Sequence, residues 1–253
     1  MRKRKYVIGA LLSVIGALVV SSSASAAVTG QTLTTTTSPA KQQKKTFGPV
    51  GAFTNVVDTA YSGGFTPNAT QTVLTFTKDI KFTPGNIPQC NLASISTVPQ
   101  SSSDAVCGAS KIGSGSATIN GGLLTGKVAA YNGTKSGNSP TIGLHTDIFT
   151  GSGAYAFSTT LTGILNTGAN TLTVSIPPTG TSITHFETTI NKKKSGKKKV
   201  KTASGKKKNQ PVFYVMARCK KKKWVNSETT TFNTGQTITA TSTQKCKQKG
   251  SKK

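Results

Sequence analysis

The chain has 253 residues, with 32 basic against 6 acidic side chains and a formal charge of +26. That length is enough for one or two domains. The six carboxylates are scattered without a cluster, which argues against a glycosidase, since that chemistry needs two facing carboxylates.

The first residues read as an export signal. Residues 1–5 (MRKRK) are a positive n-region, 6–20 (YVIGALLSVIGALVV) an apolar run of 15, and 21–27 (SSSASAA) all small. This order predicts a cleaved signal peptide over 1–26, with Ala24 and Ala26 at the cleavage site. The rival is a retained anchor, but a spanning helix needs roughly 20 apolar residues. No second apolar run is long enough to span, so no spanning segment is expected after cleavage. Removing 1–26 also removes four basic residues.

Residues 27–46 (AVTGQTLTTTTSPAKQQKKT) are Thr-rich and polar, without apolar periodicity. They are expected to be a flexible linker. From Phe47, short alternating apolar runs return between Gly, Pro, Asn and Ser. In 72–82 (TVLTFTKDIKF) Leu74, Phe76 and Ile80 share one face with Lys78, a period of two that predicts a strand. Similar runs cover 116–130, 141–149, 154–165, 171–176 and 182–190, and Pro177-Pro178 ends one of them. Residues 211–218, 224–232 and 237–243 complete the set, with Asn233-Thr234-Gly235 as a hairpin turn between the last two. Helix formers are scarce, Thr, Val, Ile and aromatics abundant. The expected fold is all-β: an antiparallel β-sandwich of short strands over 47–246, with a basic end at 247–253.

Cys90, Cys107, Cys219 and Cys246 are an even set in a chain expected to be exported, which suggests disulfides. Three pairings are permitted. The sequence-local one, Cys90 with Cys107 and Cys219 with Cys246, is the simplest. A zinc site is the rival, but no C-x-x-C occurs and neither His145 nor His185 neighbours a cysteine pair.

Two stretches carry a resemblance. FTKDIKFTPGNIPQC, NLASI and CGASKIGSGSATI lie at 76–119, and ARCKKKKWVNSETTTFNTGQTITATSTQKC at 217–246. Together they resemble segments of uncharacterised secreted actinobacterial proteins, over most of 70–246. The departures are Gly108, where a proline often follows the second Cys, and the lysine-rich insert. The resemblance implies a secreted β domain with two local disulfides, and no site residues.

His145 and Asp147 form the best polar constellation. On a strand they share a face, and there they can be the orienting half of a Ser–His–Asp hydrolase triad. The plainer reading is a hydrogen-bonded histidine, because no G-x-S-x-G elbow accompanies it. Residues 121–127 (GGLLTGK) fit part of a phosphate-binding loop, but Val128 follows where Ser or Thr would hold magnesium. Residues 151–156 (GSGAYA) fit G-x-G-x-x-A, with a strand following in place of a helix. Both read as turn glycines, and no cofactor is implied. Asn68-Ala69-Thr70 and Asn132-Gly133-Thr134 match the glycosylation pattern.

The charge is concentrated late. Residues 27–190 carry 8 basic and 5 acidic groups, and residues 191–253 carry 20 basic and 1 acidic, a net +19. Residues 191–209 contain Lys192, Lys193, Lys194, Lys197, Lys198, Lys199, Lys201, Lys206, Lys207 and Lys208. They read as an extended loop between two strands. A second cluster is Arg218 with Lys220, Lys221, Lys222 and Lys223. A third is Lys245, Lys247, Lys249, Lys252 and Lys253. The expectation is nonspecific attachment to an anionic cell-wall polymer, an acidic polysaccharide or another anionic surface. The alternative is a structural surface protein whose lysines only confer solubility. Specific nucleic-acid recognition is not expected, since the run has neither Arg forks nor stacking aromatics.

Overall fold

A computed structural model describes residues 27–63, 67–177, 180, 182–201 and 207–249, with the backbone alone for 86, 193–201 and 207–212. The signal segment 1–26 lies outside the described residues. The strands are β1 (Ala27–Ser38), β2 (Lys41–Gln43), β3 (Gly48–Pro49), β4 (Ala52–Ser62), β5 (Ala69–Thr75) and β6 (Ile80–Phe82). After helix α1 (Gln100–Cys107) come β7 (Lys111–Ile119), β8 (Leu124–Ser136), β9 (Ser139–Thr150), β10 (Tyr155–Asn166), β11 (Thr171–Ser175) and β12 (Ile183–Ile190). The last are β13 (Lys193–Lys201), β14 (Lys207–Phe213), β15 (Val215–Ala217), β16 (Lys223–Phe232), β17 (Thr237–Lys245) and β18 (Lys247–Lys249).

The fold is all-β, and its main sheet is barrel-like and not clearly the expected sandwich. Eleven strands form one sheet in the order β1-β4-β12-β7-β8-β9-β10-β11-β5-β16-β17. Its two edges, β1 and β17, lie against each other, so the sheet is nearly closed and barrel-like. Every neighbouring pair is antiparallel. An odd number of strands so paired leaves the two edges running parallel. Side chains bridge that seam. Gln236 exchanges two hydrogen bonds with the backbone of Val28, and Gln244 two with that of Thr37. Between them Ser242 Oγ accepts from Thr35 N at 2.8 Å. Val28, Thr35 and Thr37 thereby find the polar partners that a backbone ladder would otherwise supply.

Strand alternation sets the inside. On β16, Trp224, Asn226, Glu228, Thr230 and Phe232 are buried; on β4, Phe53, Asn55 and Val57. One end is plugged by edge-on and tilted aromatics: Phe53, Phe76, Phe82 and Tyr214, with centroids 4.8–6.2 Å apart. Both disulfides are present, Cys90–Cys107 and Cys219–Cys246, as the local pairing had it. The first staples α1 and the turn Leu92–Ile95 over the outer face of β8 and β9, which is why β9 is buried on both faces. Two strand glycines admit this flap. A Cβ on Gly143 would come 2.3 Å from Leu92 Cδ2, and one on Gly133 2.8 Å from Leu92 Cδ1.

Several expectations need correction. The supposed linker is mostly β1, whose β-branched threonines suit a strand and whose Leu33, Thr35 and Thr37 point inward. The run 72–82 breaks between β5 and β6, where Ile80 N bonds Thr77 O and Asp79 turns inward. The run 116–130 is two strands, β7 and β8, around a turn with Gly121 at φ +66°. Gly126 belongs to β8 and not to a turn. The lysine loop is a hairpin, β13 pairing with β14. The turn at Asn233–Gly235 is as expected, with Gly235 at φ +82°.

Candidate functional site: a lysine-bearing end

The basic segments meet at one end of the barrel because three connections force them together. Cys219–Cys246 ties the approach to β16 to the end of β17, where Lys223 faces Lys245. The parallel pair β2–β18 then sets Lys247 beside Lys41. Gln248 Nε2 locks the corner by donating to Cys219 O and Lys220 O. Lys220, Lys221, Lys222 and Lys223 are exposed there, as are Lys245, Lys247 and Lys249.

The sequence reading missed five lysines of this end. Lys41, Lys44 and Lys45 arrive from the supposed linker, and Lys78 and Lys81 from the break beside β6; all five are exposed. The signal is weak in sequence because these lysines lie more than 100 residues from the late clusters. The small sheet β3-β15-β6 places Lys81 opposite Met216. A cleft of about 260 Å³ opens here, lined by Phe47, Lys78, Lys81, Gly168 and Asn170.

The lysine hairpin joins the same end. Its first pair is Lys193 with Phe213, and Tyr214 N bonds Lys192 O. From Phe213 the chain enters β15 and then reaches Cys219. Backbone pairing brings Lys197, Lys198, Lys199 and Lys201 opposite 207–211, with Lys201 facing Lys207 and Val200 facing Lys208. Lys194 lies on β13. Lys206, Lys252 and Lys253 lie outside the described residues.

The acid nearest these lysines is already spent. Asp79 is buried, accepting from Arg218 Nε at 2.8 Å and from Lys220 N at 3.0 Å. Arg218 also stacks over Phe47, 4.7 Å from the ring centroid. The ion pair of Asp79 is thus with Arg218 and not with one of the surrounding lysines.

His145 and Asp147 lie elsewhere, on the outer face of β9 beneath the flap. Both are buried, with Ser103 beside them. Ser103 Oγ and Asp147 Oδ1 both stand 3.3 Å from the same nitrogen, Nε2, while Nδ1 meets Thr160 Oγ1 at 2.9 Å. A triad needs serine and carboxylate on opposite nitrogens. Asp147 instead accepts from Gln100 N with both oxygens at 3.0 Å and from Ser158 Oγ. It thus caps α1, whose N-cap Pro99 has no capping side chain. Burial holds the His145 imidazole below its usual value, with Asp147 pulling the other way. Nearby, burial pushes the Asp104 carboxyl up, but hydrogen bonds from Lys111 and Tyr131 outweigh it and hold the group low. These are the parts of a sealed polar strut.

The glycosylation matches are also structural. Asn132 is buried, its Nδ2 donating to the carbonyls of Pro84, Ile87 and Pro88. Asn68 is buried and accepts from Ser182 Oγ at 3.0 Å. Among the described residues no group of three or more His, Cys, Asp or Glu side chains gathers as for a metal. No helix among them is long and apolar enough to cross a membrane. No family model, curated protein or solved structure matches the chain.

Proposed function

We propose that this is an exported, non-catalytic β-barrel-like protein that attaches through its lysine-bearing end to an anionic polymer or surface of the cell envelope or its surroundings. One observation carries the reading: segments far apart in sequence are tied by Cys219–Cys246 and β2–β18 into one face with exposed lysines and a single, already paired acid. Lysine suits this task as a compact, hydrated point charge that needs no partner geometry. The attraction is long-ranged and falls with salt over a Debye length of about 8 Å at physiological ionic strength. The disulfides and the signal-like first 26 residues support export. The cleft by Lys78 and Lys81 offers a concave spot on this face for a phosphate or carboxylate of the polymer. The sealed position of His145 supports a non-catalytic reading.

Cosedimentation of mature protein with isolated envelopes across a salt series tests this, beside a variant lacking 192–208. Binding is expected to weaken steeply with salt, because each phosphate contact releases counterions. The deletion is expected to weaken it further at every salt concentration. Association that ignores both salt and the deletion would sink the proposal.

A further inference from the structure

The interior of the barrel holds a cavity chemically distinct from the lysine-bearing end. A cavity of about 110 Å³ runs inside the sheet, walled by apolar side chains such as Leu74, Leu144, Leu161, Leu172 and Val174. Three polar residues on its wall have an oxygen with no hydrogen-bond partner: Glu228 Oε2, Asn55 Oδ1 and Gln31 Oε1. Glu228 and Asn55 are 4% and 5% exposed. Orphan buried acceptors are uncommon in native structures and cost about 1–3 kcal/mol each, more for a charged group. Three facing one cavity are a site awaiting donors.

The neighbouring hydroxyls and the Gln31 amide are committed along one line, and the Asn55 amide also supports the Glu228 carboxylate. Gln31 Nε2 donates to Thr230 Oγ1 at 2.9 Å, Thr230 and Thr72 hydroxyls meet at 3.1 Å, and Thr72 Oγ1 donates to Glu228 Oε1 at 2.9 Å. Each donor points toward the carboxylate, which leaves the amide oxygens and Oε2 as the free ends. An added carboxylate or phosphate would bring only more acceptors. An alcohol supplies one donor, whereas a primary ammonium supplies three together with the countercharge for Glu228.

We propose that the barrel binds a small organic ammonium, a primary amine on an apolar body, with its N–H donors on Glu228, Asn55 and Gln31. The body is a short alkyl chain, since the cavity of about 110 Å³ falls short of the roughly 150 Å³ that holds a benzene. The entrance is the end away from the lysines, where Thr59, Tyr61, Ile176 and Ile183 on the cavity wall are half-buried, while Phe53, Phe76 and Phe82 plug the other end. Glu228 lies five residues along β16 from Lys223, roughly 17 Å at the rise of a strand. Salt damps the repulsion from the lysines over that distance on the solvent side, and Glu228 supplies the countercharge inside. Among the lining side chains only Glu228 and Tyr61 titrate. Burial raises the Glu228 carboxyl, with Thr72, Asn55 and Thr230 pulling it back, and burial raises the Tyr61 phenol to about 12. An ammonium favours the ionised carboxylate, so binding strengthens as pH rises until the amine itself deprotonates.

The test is titration calorimetry of the mature protein at pH 7 with butylamine, butyl chloride and butyrate. Butylamine is expected to bind, butyl chloride on the order of tenfold more weakly, since only the amine answers the orphan acceptors, and butyrate not at all. Glu228→Gln is expected to weaken butylamine at least tenfold and leave butyl chloride unchanged; the butyl chloride titration shows that the variant cavity is intact. Equal affinity for butylamine and butyl chloride, undiminished butylamine binding in Glu228→Gln, or no heat from butylamine at 10 mM (about a hundredfold above a 0.1 mM dissociation constant) would overturn the assignment. Envelope attachment is unaffected by any of these outcomes, because it resides at the other end.

Discussion

Replacing Gln244 with Met tests whether side chains close this barrel. Gln244 Oε1 accepts from Thr37 N at 2.7 Å and its Nε2 donates to Thr37 O at 3.1 Å. Thr37 is 1% exposed, so no bulk water stands ready to replace the lost partner. Met keeps the length and the apolar stem, so the substitution leaves no sizeable cavity. Two neutral hydrogen bonds are worth about 1 kcal/mol each, and the orphaned amide adds about 1–3. The expected cost is about 3–5 kcal/mol if the seam stays shut. Parting of β1 from β17 would admit water and limit the loss to about 2 kcal/mol, and it would appear as local opening. Urea unfolding reads the first quantity and amide hydrogen exchange the second. Protection at Thr37 is expected to fall at least tenfold further than in β8 and β9, at the centre of the sheet. Gln236→Met, which removes the corresponding pair on Val28, is expected to do the same at the other end of the seam. Unchanged stability and unchanged exchange at both positions would refute closure by side chains.

Two further outcomes follow from the same geometry. Replacing Cys219 and Cys246 together by Ala opens a loop with a sequence separation of 27, worth about 3.6 kcal/mol by chain entropy. It is expected to lower Tm by at least 7 °C at about 2–4 °C per kcal/mol, and to weaken envelope binding by freeing β18; a shift below 2 °C would contradict the clamp. Acidification destabilises the fold through His145. Its folded value lies below the unfolded 6.5, so the unfolded chain binds more protons between the two, and stability falls as pH drops below about 6.5. Asp147, Asp104, Lys111, Ser103 and Thr160 face or influence this group. A His145→Gln variant is expected to flatten the unfolding free energy between pH 7 and pH 5, and an unaltered slope would show that the imidazole is not the titrating group.

The legible parts of this protein were those governed by neighbours in sequence. Period-two alternation marked β9, β10, β12, β16 and β17 within a few residues, and Asn233-Thr234-Gly235 marked its hairpin. Local spacing of the cysteines pointed to the observed bridges. Composition misled where it stood in for burial. The threonines of 33–37 were polar enough to pass for a linker, yet a seam lined by Asn226, Ser242 and Gln244 is a polar interior into which they fit. Helix α1 carried no apolar stripe, because its support is Asp147 on β9 and the Cys90–Cys107 bridge, neither visible from its own eight residues.

By itself the sequence determined the all-β class, the Asn233–Gly235 turn and the excess of lysine in the last quarter, and it favoured the local disulfides, since each depends on residues close in the chain or on composition. Only the tertiary structure decided that the main sheet is barrel-like, that five early lysines join the late ones, and that Glu228, Asn55 and Gln31 share a cavity. Those facts depend on the twist that brings β1 against β17 and on pairings across as many as 208 residues, which no local pattern encodes.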